Sequence, residues 1–82
     1  MITGRIKTLD VANRRAVLAT EDGREITLTF PEGATIEVAE AETMGTVGGE
    51  LADLREGYYV EVELGEHGAD GSCACTSLVC VS

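Results

Sequence analysis

Hydrophobic and polar residues alternate with a period of two through most of this chain. The pattern is clearest at 58–64, where the even positions hold Tyr58, Val60, Val62 and Leu64. The odd positions hold Tyr59, Glu61 and Glu63. Because successive side chains of a strand point to opposite faces, this segment is predicted to be a strand with one buried and one solvated face.

Five other segments have the same character, and together they predict six short strands. The predicted strands are 2–7, 16–20, 24–30, 35–38, 58–64 and 72–81. In the second strand the inward pair is either Ala16 with Leu18 or Val17 with Ala19. All four residues are apolar, and a strand covered on both faces has the same continuous apolar pattern. In the third strand the inward residues are Ile26, Leu28 and Phe30, and Pro31 ends the strand because it has no amide hydrogen to donate.

Turn residues separate these strands. Asp22-Gly23 between two strand-like runs predicts a hairpin with a type I′ turn. The spacing of Leu51 and Leu54 predicts one short helical or 3₁₀ turn at 51–56, ended by Gly57. Residues 39–50 are rich in Gly and Glu and predict a flexible loop, long for a chain of 82 residues. Such a loop is either a flexible connector or a binding site.

The fold class predicted from these elements is all-β. We expect a small closed or partly open antiparallel barrel of five to six strands, of the oligonucleotide/oligosaccharide-binding (OB-like) or SH3-like kind, because closure removes exposed sheet edges. The chain has no internal repeat and no linker, so residues 1–82 are predicted to be a single domain.

The charge is large, negative and unevenly distributed. The net charge is −9; residues 1–24 carry five basic and three acidic side chains, and residues 25–82 carry one basic and twelve acidic. Such a charge opposes binding to nucleic-acid phosphates, which requires cationic side chains, and it keeps identical copies apart. We therefore expect a monomer or a weak homodimer. The acidic surface is interpreted as a solvated face or as a patch for a basic partner or a cation.

Three cysteines and the single histidine lie close together near the C-terminus. They are Cys73, Cys75, Cys80 and His67. Thiolates and imidazole are the ligands that zinc prefers, so these four residues are a candidate metal site. On a regular strand, however, Cys73 and Cys75 share one face while Cys80 points to the other. The four ligands can therefore converge only if the strand is bulged or the first two cysteines lie in the preceding loop. The competing interpretations are small apolar core residues, reduced in the cytoplasm, and a thiol-redox or disulfide role.

No other catalytic pattern is visible, which favours a protein that is not an enzyme. The first hypothesis is a binding or scaffold module for a protein or a small ligand, and the second is a metal or thiol-redox module. The third is single-stranded nucleic-acid binding, which needs cations and aromatic platforms. For that hypothesis the chain offers the set Arg5, Lys7, Arg14, Arg15, Tyr58 and Tyr59.

The order of these pieces resembles a family of small bacterial β-barrel domains that are mostly uncharacterised. The resemblance rests on Gly4-Arg-Ile6, Glu21-Asp-Gly23, the segment from Leu51 to Gly57 with Val60 and Val62, and Thr76 to Val79. It covers most of the chain, implies a barrel and carries no catalytic residues. Relatives of this kind are often exported.

The compartment expected from the chain itself is the cytoplasm. The N-terminal residues enter a strand directly without an apolar signal region, and exported status is the expectation only if a leader has been removed. No apolar run approaches the roughly 20 residues of a membrane span, so no membrane partner is expected.

Overall fold

The computed structural model describes residues 1–40, 42, 44–68 and 71–81 and is all-β. Its elements are β1 (Ile2–Asp10), β2 (Arg15–Thr20), β3 (Glu25–Thr29), β4 (Thr35–Glu40), β5 (Gly45–Gly48), a 3₁₀ turn (Leu51–Asp53), β6 (Tyr59–His67) and β7 (Cys73–Cys80). The predicted helical turn at 51–56 is confirmed as this 3₁₀ turn, and Gly57 follows with a φ of 93°.

Five strands close into a barrel in the order β3-β2-β1-β6-β7. The ring is completed where β7 pairs with β3 through Leu28–Cys73 and Thr29–Ala74. The predicted small closed barrel is therefore confirmed. Two pairings of the sheet differ from the antiparallel expectation, because β7 runs parallel to β3 within the ring and to β4 outside it. Alternation along one strand reports which face is buried but not the direction of the neighbouring strand.

The barrel interior is filled by aliphatic side chains and cysteines. Val60 and Val62 are 0% and 1% exposed, which confirms the inward positions predicted for them. Tyr58, predicted on the same face, is exposed because β6 begins only at Tyr59. The ambiguity in β2 is resolved in favour of Ala16 and Leu18, both of which are buried. The buried core comprises Ile6, Ala16, Leu18, Leu28, Phe30, Ile36, Leu51, Leu54, Val60, Val62, Cys75, Leu78 and Cys80.

Strands β1 and β2 approach each other closely at Gly4. A Cβ atom at this position would lie 2.3 Å from the carbonyl oxygen of Ala19, which is much closer than non-bonded atoms can approach. Gly4 therefore permits the tight curvature that a barrel of five strands requires.

The hairpin at Asp22-Gly23 is present, but the predicted type I′ turn is wrong. That turn requires positive φ at both central residues, and here Gly23 has a φ of 88° while Asp22 does not lie in the positive region. The amide of Gly23 donates to the Thr20 carbonyl at 3.1 Å, so the loop is a type I turn followed by a left-handed glycine. The Thr20 hydroxyl and the Arg24 side chain bond the Asp22 carboxylate and lower its pKa to about 2.

The stretch 39–50, predicted to be a loop, contains strand β5. Strand β5 pairs with β4 from Glu37–Gly48 to Glu40–Gly45 and forms a hairpin outside the closed ring. Ala41 and Thr43, which belong to the predicted loop, lie outside the described residues. The sequence does not predict β5 because the strand begins and ends with glycine and contains only two side chains with strong β-propensity, Thr46 and Val47.

Candidate functional site

All three cysteines are buried, which corrects the expectation for a regular strand that Cys80 faces the side opposite to Cys73 and Cys75. Cys73, Cys75 and Cys80 are 5%, 0% and 3% exposed. The reason is a β-bulge: Ser77 pairs with Glu63 and Cys75 with Leu64, so Thr76 is left as an extra residue on β7. One inserted residue shifts the alternation by one position and turns Cys80 inward.

Cys73 and His67 form the one close contact among the four predicted metal ligands. They are partners across β6 and β7, and Cys73 Sγ lies 3.3 Å from His67 Nδ1. The contact exists because β6 continues to His67, whereas the predicted strand ends at Leu64. The imidazole is exposed while the thiol is buried, so the pair lies at the barrel surface.

The other two cysteines lie away from this contact. Cys75 Sγ donates to the Ser77 carbonyl at 3.3 Å, and burial raises the pKa of the Cys75 thiol to about 11. Cys80 lies at the opposite end of β7, paired with Val60 and Val38. Within the described residues, no group of three or more His, Cys, Asp or Glu side chains is placed to hold a metal ion. The structure thus brings together two of the four predicted ligands.

The basic and aromatic residues considered for nucleic-acid binding are largely engaged with the protein itself. The Arg5 guanidinium stacks over the Tyr59 ring at 5.4 Å from its centroid and donates to the Gly57 carbonyl at 3.0 Å. Lys7 forms an ion pair with Glu25.

Arg14 and Tyr59 are held in the same way. The Arg14 side chain donates to the carbonyl oxygens of Phe30 and Pro31, at 2.7 and 3.3 Å. The Tyr59 hydroxyl donates to the Glu21 carboxylate. These contacts give Arg5, Lys7 and Arg14 a structural role at the barrel surface. Tyr58, the other tyrosine considered for base stacking, is exposed.

The barrel also carries a shallow groove of the size that small ligands use. This groove has a volume of about 370 Å³ and lies between the β1–β2 turn and the 3₁₀ turn. Val11, Arg14, Glu32 and Leu51 are among its lining residues. The volume is at the low end of the range for ligand pockets, roughly 300–1,000 Å³, and the lining mixes one cation with acidic and apolar groups.

The β4–β5 hairpin includes most of the stretch 39–50, where the sequence predicted a loop and not a strand. Every residue of β5 is exposed, and apolar side chains surround it: Met44 is 90%, Val47 49% and Val81 39% exposed. On one face the row Val60–Cys80–Val38–Val47 runs from the barrel core onto the hairpin, with burial decreasing outward. The feature of the sequence that could have predicted this strand is the pair Thr46-Val47, two residues of high β-propensity. In the structure Val47 pairs with Val38.

Strand β5 is the outer edge of the sheet. The Gly49 amide donates to the Ile36 carbonyl at 2.9 Å, which identifies 36–49 as a hydrogen-bonded pair in the β4–β5 ladder. Hydrogen-bonded and non-hydrogen-bonded pairs alternate in an antiparallel ladder. The non-hydrogen-bonded positions are therefore Thr46 and Gly48, whose N–H and C=O groups point away from β4 toward open space.

In the described part of the chain, no helix has the length and apolar character needed to cross a bilayer. No protein-family model matches the sequence, and no curated protein sequence matches it either.

Proposed function

We propose that this protein is a non-enzymatic binding module that recognises another protein through its β4–β5 hairpin. The observation that carries the proposal is the open edge of β5, where the side chains of Met44 and Val47 are exposed. Natural sheet proteins normally protect such edges with a very short strand, charge, proline, a bulge or a covering element. Strand β5 is short, at four residues, but Gly45-Thr-Val-Gly48 contains no charged residue and no proline.

The division of the molecule supports this proposal. The five-stranded ring closes without β4 and β5, so the hairpin is not needed to complete it. Strand β4 contributes Ile36 to the core, but the side chains of Met44 and Val47 lie outside it, and contiguous exposed apolar groups mark interaction sites. The strand order of the ring and its parallel β3–β7 closure support an OB-like assignment for the scaffold.

The proposal is tested by comparing variants of the hairpin with a matched variant elsewhere. Immobilised wild-type protein is compared with Met44→Ser/Val47→Ser and with Val11→Ser, whose valine is 42% exposed in the β1–β2 turn. We expect a partner that is retained by wild type and by Val11→Ser and is lost by the double variant. Chemical-shift changes on binding should then localise to β4 and β5. Identical binding by all three proteins, or specific turnover of a substrate, would contradict the proposal.

A second candidate function, a metal or thiol-redox module, is favoured by the contact between Cys73 and His67 at 3.3 Å. Zinc is the metal that such a pair favours, with further ligands supplied by a small rearrangement or by a partner. Metal analysis of protein purified without chelator, beside a Cys73→Ala/His67→Ala variant, tests it. Less than about a tenth of an equivalent of zinc in both proteins, with unreactive thiols, would rule it out.

A third candidate, single-stranded nucleic-acid binding, receives support from the OB-like strand order but little from the charges. The cations that would contact phosphate are bonded to carbonyls, a carboxylate or a ring in this structure. Binding of an oligonucleotide that persists at about 150 mM salt and is weakened by Arg5→Ala would revive this candidate.

A further inference from the structure

We propose that β5 binds an extended, basic segment of another protein, which adds to the sheet as an antiparallel strand with the side-chain order basic–apolar–polar–basic. This inference rests on the proposed function and specifies the chemistry of the partner. It follows from three features: the direction of the free backbone groups, the positions of Gly45 and Gly48, and the charge of the surrounding chain.

The free backbone groups suit strand addition. Thr46 and Gly48 are two residues apart and direct N–H and C=O groups away from β4, as the ladder alternation requires. An added antiparallel strand satisfies these groups with the same bonds that hold β5 to β4, at a spacing of about 4.8 Å. Main-chain bonding of this kind provides affinity, while the neighbouring side chains select the sequence.

The glycines of β5 open a path from an added strand to two carboxylates on β4. Gly48 pairs with Glu37, and Gly45 pairs with Glu40. Because glycine has no side chain, a lysine or arginine opposite Gly48 can extend across it to Glu37 on one face of the sheet. A second cation opposite Gly45 reaches Glu40 on the other face, since even and odd positions alternate.

The remaining two positions of the segment follow from the same register. The residue opposite Val47 faces the exposed end of the apolar row that begins at Val60, so an aliphatic side chain fits there. The residue opposite Thr46 lies on the other face, where a hydroxyl group matches the threonine. Reading the antiparallel partner from its N-terminus gives the order Lys-Val-Thr-Lys for an optimal segment.

Charge selects a basic partner over a second copy of this chain. Between Arg24 and Arg55 the sequence contains no lysine or arginine and has seven acidic residues. With a net charge of −9 on each copy, pairing β5 with another β5 would bring like charges together. A cationic segment instead approaches a surface of opposite sign, which raises its association rate and selects it over neutral strands.

The probe is a capped hexapeptide, acetyl-Thr-Lys-Val-Thr-Lys-Val-amide, titrated into the full chain by NMR at about 20 mM salt. One control peptide replaces both lysines with glutamate. The other carries N-methyl groups on its first lysine and its second threonine, the residues placed opposite Gly48 and Thr46. We expect binding of the basic peptide with shift changes at 45–49, and at least tenfold weaker binding of both controls. Equal binding of the basic and N-methylated peptides would overturn strand addition, because N-methylation removes the backbone donors.

The edge itself is tested by Thr46→Pro, with Thr46→Ala as its matched control. Proline at 46 removes an N–H that points away from β4, so the hairpin keeps its own ladder bonds. We expect Thr46→Pro to weaken the basic peptide about tenfold and Thr46→Ala to change its affinity less than threefold. Amide exchange at Val47 in both variants verifies that the hairpin is intact. Unchanged affinity in an intact Thr46→Pro protein would contradict the proposal.

A charge exchange tests the roles of the two carboxylates. Glu37→Lys/Glu40→Lys should lose the basic peptide and bind the glutamate peptide instead. Glu63→Lys/Glu66→Lys, which makes the same change of net charge on exposed positions of β6, should keep the original preference. If both double variants lose the basic peptide equally, the attraction is due to net charge alone and the assigned register is wrong.

These outcomes separate the inference from the proposed function. If no basic peptide binds, yet a partner is still lost on Met44→Ser/Val47→Ser, the hairpin binds through side chains and only the strand-addition inference fails. If neither the peptides nor any partner respond to changes in the hairpin, both proposals fail.

Discussion

The closed barrel and the β4–β5 hairpin are made of similar residues in the same sheet, yet their surroundings differ completely. Val60 and Val47 lie on one cross-strand row, at 0% and 49% exposure. The barrel surrounds Val60 with neighbouring strands, whereas β5 has a neighbour on one side only. The burial of an aliphatic side chain is thus determined by closure of the ring and not by hydrophobicity. Strand β5 is the part of the sheet that stays exposed.

The largest expected effect comes from placing a charge inside the barrel. Val62→Asp should abolish cooperative unfolding of a stable native state, because Val62 is 1% exposed and an unpaired buried carboxylate has no compensating partner there. The whole stability of such a domain is roughly 4–12 kcal/mol. Urea denaturation measured by circular dichroism tests this. Glu61→Lys on the outward face should unfold within about 1 kcal/mol of wild type, and similar behaviour of the two variants would show the facing to be wrong.

Glycine to alanine substitutions should also separate the two regions. Gly4→Ala should destabilise by about 2–3 kcal/mol, because the new methyl group meets the Ala19 carbonyl oxygen and the backbone must move. In the hairpin, Gly48→Ala should change stability by no more than about 0.5 kcal/mol, since nothing lies within 4 Å of its Cβ position. Thermal unfolding measures both, and a costly Gly48→Ala would mean that the hairpin contributes to the core.

A matched pair of valines sharpens the comparison further. Val60→Ala should cost about 2 kcal/mol, because it removes two buried methyl groups and leaves a small cavity. Val47→Ala, in the same row, should cost less than about 0.5 kcal/mol. The midpoints of urea denaturation give both values. Equal costs for the two valines would place the hairpin inside the cooperative unit and weaken its assignment as a recognition element.

The last effect is absent at neutral pH and concerns the buried thiol of Cys75. Burial raises the pKa of Cys75 from 9.0 to about 11, so the folded thiol keeps its proton where the unfolded thiol has lost it. The contribution of this thiol to the free energy of unfolding should therefore be constant below about pH 9. It should fall as the pH rises from about 9 to 11. Cys75→Ala should show a shallower decline over the same range in urea titrations. Parallel declines would contradict the burial of this thiol.

Most of the barrel could be predicted from local pattern, and the failures have physical causes. The inward faces of β3 and β6 followed directly from alternation at Leu28, Val60 and Val62. Cys80 was misplaced because a bulge at Thr76 shifts the alternation, and a bulge depends on the partner strand. The type I′ turn was wrong because an Asp-Gly pair also fits a three-residue loop with a left-handed glycine.

The candidate site was less predictable than the fold. The four residues chosen as metal ligands were close in sequence, but only Cys73 and His67 are in contact. The sequence predicts a loop at the hairpin edge because Gly45, Gly48 and Gly49 have low β-propensity. An open edge is defined by the absence of a neighbouring strand. Strand order cannot be predicted from the sequence of any single segment.

The sequence by itself determined the class of fold, the inward faces of the regular strands and the acidity of residues 25–82, because these depend on side-chain type and a period of two. The tertiary structure decided what the period cannot specify: that β7 closes the ring by running parallel to β3, that three cysteines share the interior, and that β5 has a free edge. Each of these depends on which strands become neighbours, and that is set by packing of the whole chain.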